Sequence, residues 1–329
     1  MNRRRALTVL LAAVAASPLR VASQPREKVR RIGVLLGTSR KRRNIERLLV
    51  PFDQALRSLG YVDGRNLQIE WREADSRLEP LPALAAELVA LKVELIVAGT
   101  AQAALAASKA TSAIPIVFVA AGDPVSIGLV RSLARPGGNV TGFSALSPAT
   151  ATKGLELLRE VLPRLRRLAV IHSPAESSSI SQVAAINEAG AALGLQLELH
   201  PVATEADLEG VLRTIERDRP DGLQVFLTIE TYRHRKRIAD FAAARRIPAV
   251  YGYVEFVEDG GLMSYGFSYA DNWRRTAEYV DKILRGSNPA DLPVQQPMVL
   301  ETAVNLKAAK TLGIAIPPSV LLRADQVIE

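Results

Sequence analysis

The 329-residue chain has no cysteine, three histidines, three methionines and 5% aromatic residues. Without cysteine it forms no disulfide, carries no lipid-modified cysteine anchor and has no thiol chemistry. His172, His200 and His234 stand far apart, with no His-x-x-x-His pair and no acidic ligand run, so no metal signature is present. The chain also lacks a Gly-x-Ser-x-Gly elbow, a phosphate-cradling Gly-x-x-x-x-Gly-Lys-Ser/Thr loop and a Gly-x-Gly-x-x-Gly after its first strand. Ser-His-Asp chemistry would have to draw on His172 or His234, and no nucleophile is marked beside either. The sequence therefore implies no catalytic residue, no metal and no cofactor, and an enzyme is not expected.

What is present begins at the N-terminus. Arg3, Arg4 and Arg5 precede an uncharged run from Ala6 to Pro18 and the small-residue stretch Val21, Ala22 and Ser23. The run is shorter than the roughly 20 apolar residues of a membrane span. It reads as a secretory signal over residues 1–23, of the Sec or twin-arginine type, with a buried first helix or a membrane anchor as the alternatives. Cleavage after Ser23 would remove four arginines and no acid, so the formal charge of +8 would fall to +4. That leaves little to attract nucleic acid. The remaining basic clusters, Arg40–Arg43 and Arg233–Arg237, suit solvated helix starts. The expectation is a freely soluble, monomeric protein of the periplasm.

From Arg31 onward, short β-rich runs alternate with segments of helical period, the pattern of βαβ units on a parallel sheet. Strands are expected at 32–36, 67–72, 95–98, 116–119, 168–172, 196–200, 223–227, 249–251 and 262–265. Helices are expected at 46–59, 81–91, 101–110, 126–134, 182–193, 208–218, 232–245 and 272–284. The chain also nearly repeats itself: segments starting at Arg31, Leu59, Leu95 and Ile114 recur at Arg167, Leu193, Leu223 and Ile247, with offsets of 136, 134, 128 and 133. Two similar doubly wound α/β lobes are expected, one over residues 30–142 plus about 267–295, the other over 143–266 plus about 296–329.

Open parallel sheets bind ligands at the carboxyl ends of their strands, where helix N-termini favour anions. Two facing lobes make a clamp whose lining follows each strand. In lobe one that gives Thr38 and Ser39, then Thr100 and Ala101, then Gly122 and Asp123. Thr100 suits a ligand carboxylate and equally an N-cap; Asp123 suits a ligand ammonium or hydroxyl and equally a helix start. Lobe two offers Thr228, Tyr251 and Glu255, the last a carboxylate beside rings that can stack on a ligand. Ser144 and Tyr265 fall at the breaks between units, and Gly142 and Gly266 are the expected hinges.

The runs Gly99-Thr100, Ile114–Val117, Gly122–Val125 and Leu133–Gly142 resemble the ABC-transporter substrate-binding protein family with tryptophan- and tyrosine/phenylalanine-binding members. The likeness continues in Ile247–Tyr251, Gly260–Gly266, Asn305–Lys310 and Pro317–Glu329, and Arg135–Gly142 is its most specific motif. The resemblance implies a type I periplasmic-binding fold whose lobes close on a small molecule and deliver it to a membrane permease. In amino-acid-binding relatives the loop matching Gly99–Ala101 meets the ligand carboxylate and the residue matching Asp123 lies at the site. Thr228–Tyr232 and Thr38–Arg43 depart from those relatives. The expected function is capture of a small organic ligand, an amino acid or another carboxylate, for an ABC transporter. The rival is a sensory or regulatory receptor signalling to a membrane partner, which neighbouring genes would distinguish.

Overall fold

A computed structural model of the chain describes residues 29–40, 43–75, 77–145 and 147–329. The N-terminal segment read as a secretory signal lies outside them. The chain builds β1 (Arg30–Leu36), α1 (Arg43–Ser58), β2 (Leu67–Glu73), α2 (Leu81–Ala90), β3 (Leu95–Ala98), α3 (Ala101–Ala110), β4 (Ile116–Ala121) and β5 (Val140–Ser144). These strands form one parallel sheet in the order β2-β1-β3-β4-β5. Its central strands β3 and β4 are apolar throughout, and β1 is so from Ile32 on, because helices cover both faces. Leu35, Ile96 and Phe118 pack with Ala85, Leu88, Ala103 and Ala107 on one side. Ile32, Val34 and Val97 face Phe52 and Leu56 of α1 on the other.

The second sheet follows: α4 (Ser147–Val161), β6 (Arg167–His172), α5 (Ser177–Ala192), β7 (Gln196–Pro201), α6 (Glu205–Asp218), β8 (Gly222–Val225), α7 (Ile229–Arg233), α8 (Arg235–Ala244), β9 (Ala249–Tyr251), α9 (Val254–Glu258) and β10 (Met263–Phe267). Next, α10 (Tyr269–Leu284) returns to the first sheet, packing along α1 and against β4. A 3₁₀ turn at Pro289–Asp291 leads to Gln295, whose backbone bonds Gly142 and Ser144 beside β5. The chain then recrosses to β11 (Leu300–Asn305), α11 (Leu306–Leu312), α12 (Pro318–Leu321) and β12 (Gln326–Ile328). The second sheet runs β12-β11-β10-β9-β8-β6-β7, with β11 antiparallel to β10. These are two α/β lobes of the type I periplasmic-binding fold, joined at three crossings.

The expected helix at 126–134 is instead a series of turns. Asp123 Oδ1 accepts from the amides of Val125 and Ser126, Gly128 takes φ 73°, and Arg131 N–H bonds Pro136 O. Local turn chemistry there outcompetes the helical ladder. The expected helix 232–245 starts earlier and breaks at His234 (φ −104°, ψ 16°). Its first piece, α7, begins at Thr228, where the Thr228 and Thr231 hydroxyls form a reciprocal cap.

Gly142 and Gly266 lie inside β5 and β10, next to the crossings. Both are places of close backbone approach. A Cβ on Gly142, at φ 152°, would stand 2.1 Å from Phe118 O, and one on Gly266 2.3 Å from Gly252 O.

Candidate functional site

The strand ends of the two sheets face each other across a cavity of about 140 Å³. Lobe one contributes Gly37 and Thr38 after β1, Thr100, Ala101 and Gln102 at the start of α3, and Gly122 after β4. Lobe two contributes Glu176 and Gln182 around the start of α5, Gln224 on β8, Thr228 after it, and Tyr251 and Tyr253 at the end of β9. Tyr265, Phe267 and Tyr269 line it from β10 and the crossing into α10.

Thr100 is an N-cap, its hydroxyl accepting from Ala103 N–H at 3.2 Å. The cap orients α3 so that its first turn, with the N–H groups of Ala101 and Gln102 lacking intrahelical partners, opens on the cavity. That end carries the partial positive charge of the helix. Gln102 adds a side-chain Nε2 that is buried without a partner.

Across the cavity, Gln224 is only 4% exposed. Its Nε2 donates to Ala151 O at 2.7 Å, which fixes the amide and leaves Oε1 without a hydrogen bond. The hydroxyls of Tyr251 and Tyr253 are likewise buried and unpartnered, and burial pushes both phenols above their ordinary pKa, so they stay protonated. Buried polar groups are ordinarily hydrogen-bonded, and leaving one unmet costs about 1–3 kcal/mol. Gln102 Nε2 and Gln224 Oε1, on opposite walls of the cavity, mark positions that a bound molecule would satisfy.

The remaining wall is aromatic. Tyr253 meets Tyr232 edge-on at 5.8 Å, Phe267 at 6.1 Å and Tyr269 at 5.8 Å. Tyr269 stands 6.2 Å from Trp273 and donates its hydroxyl hydrogen to Gly99 O. The arrangement suits an apolar or aromatic ligand body with polar ends. Among the described residues no group of three or more His, Cys, Asp or Glu could hold a metal ion.

Of the residues singled out from the sequence, Thr38, Thr100, Ala101, Gly122, Thr228, Tyr251 and Tyr265 come together in this lining. Four do not. Ser39 turns toward β2, its hydroxyl donating to Glu73 at 3.0 Å. Asp123 is used by the turn described above. Ser144 is buried beside the crossing where Gln295 pairs with β5. Glu255 sits in α9, which carries it behind Tyr253 into a second cavity. Reading strand ends alone missed Gln102, Glu176, Gln182, Gln224, Tyr232 and Tyr269. A glutamine in the apolar run Leu223–Phe226 was the one available signal for Gln224.

A family model described as ABC transporter substrate binding protein matches residues 47–328. The tyrosine-binding protein of Clostridioides difficile is 28% identical over 263 residues, which are 80% of this chain and 75% of that protein. A crystal structure from Streptococcus pneumonia in complex with L-Trp is 27% identical, covers 91% of this chain and 99% of its own, and superposes with a TM-score of 0.85. The ligand-free, open structure of a Clostridium difficile substrate binding protein is 28% identical over 91% of this chain and 99% of its own, with a TM-score of 0.68. At nearly equal identity, the chain superposes better on the ligand-bound structure than on the open one.

Proposed function

The chain belongs to the ABC transporter substrate-binding protein family, which consists of solute-binding proteins rather than enzymes, and from that premise we propose that it captures a zwitterionic amino acid with an aromatic or bulky apolar side chain. The observation that carries this reading is the pairing of unmet groups across the cavity. Gln102 Nε2 and the first turn of α3 donate on one side; Gln224 Oε1 accepts on the other. A carboxylate at α3 and an ammonium at Gln224, with Glu176 adding negative charge on the same side, would satisfy both, while the side chain lies among Tyr232, Tyr253, Phe267 and Tyr269. Thr38, Ala101, Gly122, Thr228, Tyr251 and Tyr265 complete the surround, and Thr100 acts by capping α3. Closure around the ligand outside the cytoplasm, then release to a membrane permease, is the corresponding role in transport. The arginine-rich start and uncharged run of the sequence support export.

Thermal unfolding with amino acids tests the reading. A ligand at 100 times its Kd adds about 2.7 kcal/mol of stability. L-tyrosine or L-tryptophan should raise the melting temperature, while tyramine and indole-3-propionate, each lacking one charged end, should do so far less. Gln224→Leu should weaken the amino acid at least tenfold, since it removes the acceptor from a water-excluded site. An amino acid that shifts the melt no more than its decarboxylated analogue would overturn the assignment of α3.

A further inference from the structure

A second cavity, of about 200 Å³, lies on the other side of the aromatic wall, sharing Leu48, Gly252, Tyr253, Phe267 and Tyr269 with the first. Among otherwise neutral residues, its remaining wall carries three carboxylates: Glu255 and the exposed Glu258 from α9, and Glu301 from β11. Glu255 is 7% exposed and its Oε2 is buried with no hydrogen-bond partner. The 5%-exposed Tyr253 adds a second unpartnered oxygen from a residue that is not acidic. Neither Glu255 nor Glu301 has a cation within ion-pair distance among the described residues, and the nearby Arg235 is committed to Asp259 at 2.9 Å. A buried carboxylate without a paired cation is costly unless it takes up a proton or a cation from outside pairs with it. Metal coordination does not fit, because these carboxylates do not gather closely enough to hold an ion. Three aromatic rings beside carboxylates instead match an organic cation, its methylenes packed on the rings and its ammonium hydrogen-bonded by the acid oxygens.

We propose that this second cavity is a binding site for the ammonium group of an aliphatic amine, held by Glu255 and Glu301 against the rings of Tyr253, Phe267 and Tyr269. The site is separate from the amino-acid cleft and shares its aromatic wall. Burial, with repulsion from Glu258 on the same helix and Glu301 on β11, pushes the Glu255 carboxyl up to about 7, and Arg235 on α8 opposes this. At pH 8 the carboxylate is therefore ionised and ready to pair.

Isothermal titration of the full chain at pH 8 with cadaverine, and with 1,5-pentanediol as its neutral counterpart, tests the site. Cadaverine should bind at least tenfold more tightly than the diol. Glu255→Gln and Glu301→Gln should each weaken cadaverine at least tenfold; Glu301 is only half-buried, so that variant folds even if the other does not. Saturating L-tyrosine should not displace the amine. Cadaverine binding no tighter than the diol, unaffected by either substitution, or competed away by L-tyrosine would overturn the proposal. The comparison with the diol and the two substitutions need no amino-acid ligand to exist, so failure of the cleft reading remains distinguishable.

Discussion

At the scale of single residues, position relative to a strand end was legible and direction was not. Thr100 follows β3 and Thr228 follows β8, so both were found by counting from the sheets. Gln224 lies within a strand, where alternation hides which face a side chain takes. Glu255 follows β9 and so reads as a ligand contact, yet one turn of helix is enough to carry it behind Tyr253. Its environment has a measurable consequence. Burial raises the carboxyl to about 7, from an ordinary value near 4.5, so the folded chain holds this proton more tightly than the unfolded one. The associated stability is present below about pH 4.5 and lost as pH rises through about 7. At 1.36 kcal/mol per pKa unit this is about 3 kcal/mol at most. Denaturant titrations at pH 5 and pH 8 should show the wild type losing stability relative to Glu255→Gln. Parallel curves would mean that the carboxylate is already solvated.

At the scale of elements, hydrophobic period identified most of the helices and strands, and the misses have local causes in some places and long-range ones in others. β5, Val140–Ser144, carries a glycine and a threonine and reads as a connection, although all its residues are buried. β11 and β12 pair only after the chain has crossed between lobes, a long-range fact with no local signature. The turns after Asp123 look helical in composition but are captured by side-chain and backbone bonds. In β5, Gly142 makes a strong local requirement: at φ 152° its α-carbon leaves no room before the backbone of Phe118. Gly142→Ala should cost about 2–3 kcal/mol, from backbone strain and displacement of a packed neighbour. Urea denaturation would read this as a lower midpoint with an unchanged slope. A stability within about 0.5 kcal/mol of wild type would show that β4 and β5 can separate freely.

At the scale of the whole molecule, the internal repeat revealed two lobes but not what couples them, since the coupling runs through residues far apart in sequence. Tyr253 belongs to the second sheet's edge of the cleft, Tyr269 to the helix that returns to the first, and their rings meet edge-on at 5.8 Å. Leu48 of α1 lines both cavities alongside Gly252 and Tyr253. Contacts that bridge the lobes add to the free energy of the closed arrangement as well as shaping the pocket. An aromatic pair of this kind is worth about 0.5–1.5 kcal/mol beyond its buried area, which shifts the closed fraction and hence apparent affinity by about twofold to tenfold. Small-angle scattering during a ligand titration separates the two roles of Tyr253. The wild type should contract on binding, and Tyr253→Phe, which keeps the ring, should contract to the same radius. Tyr253→Leu should need about twofold to tenfold more ligand than Tyr253→Phe to reach that radius. If both variants contract at the same ligand concentration, the rings do not couple the lobes, and closure is driven by the ligand's own bridging contacts to α3 and Gln224.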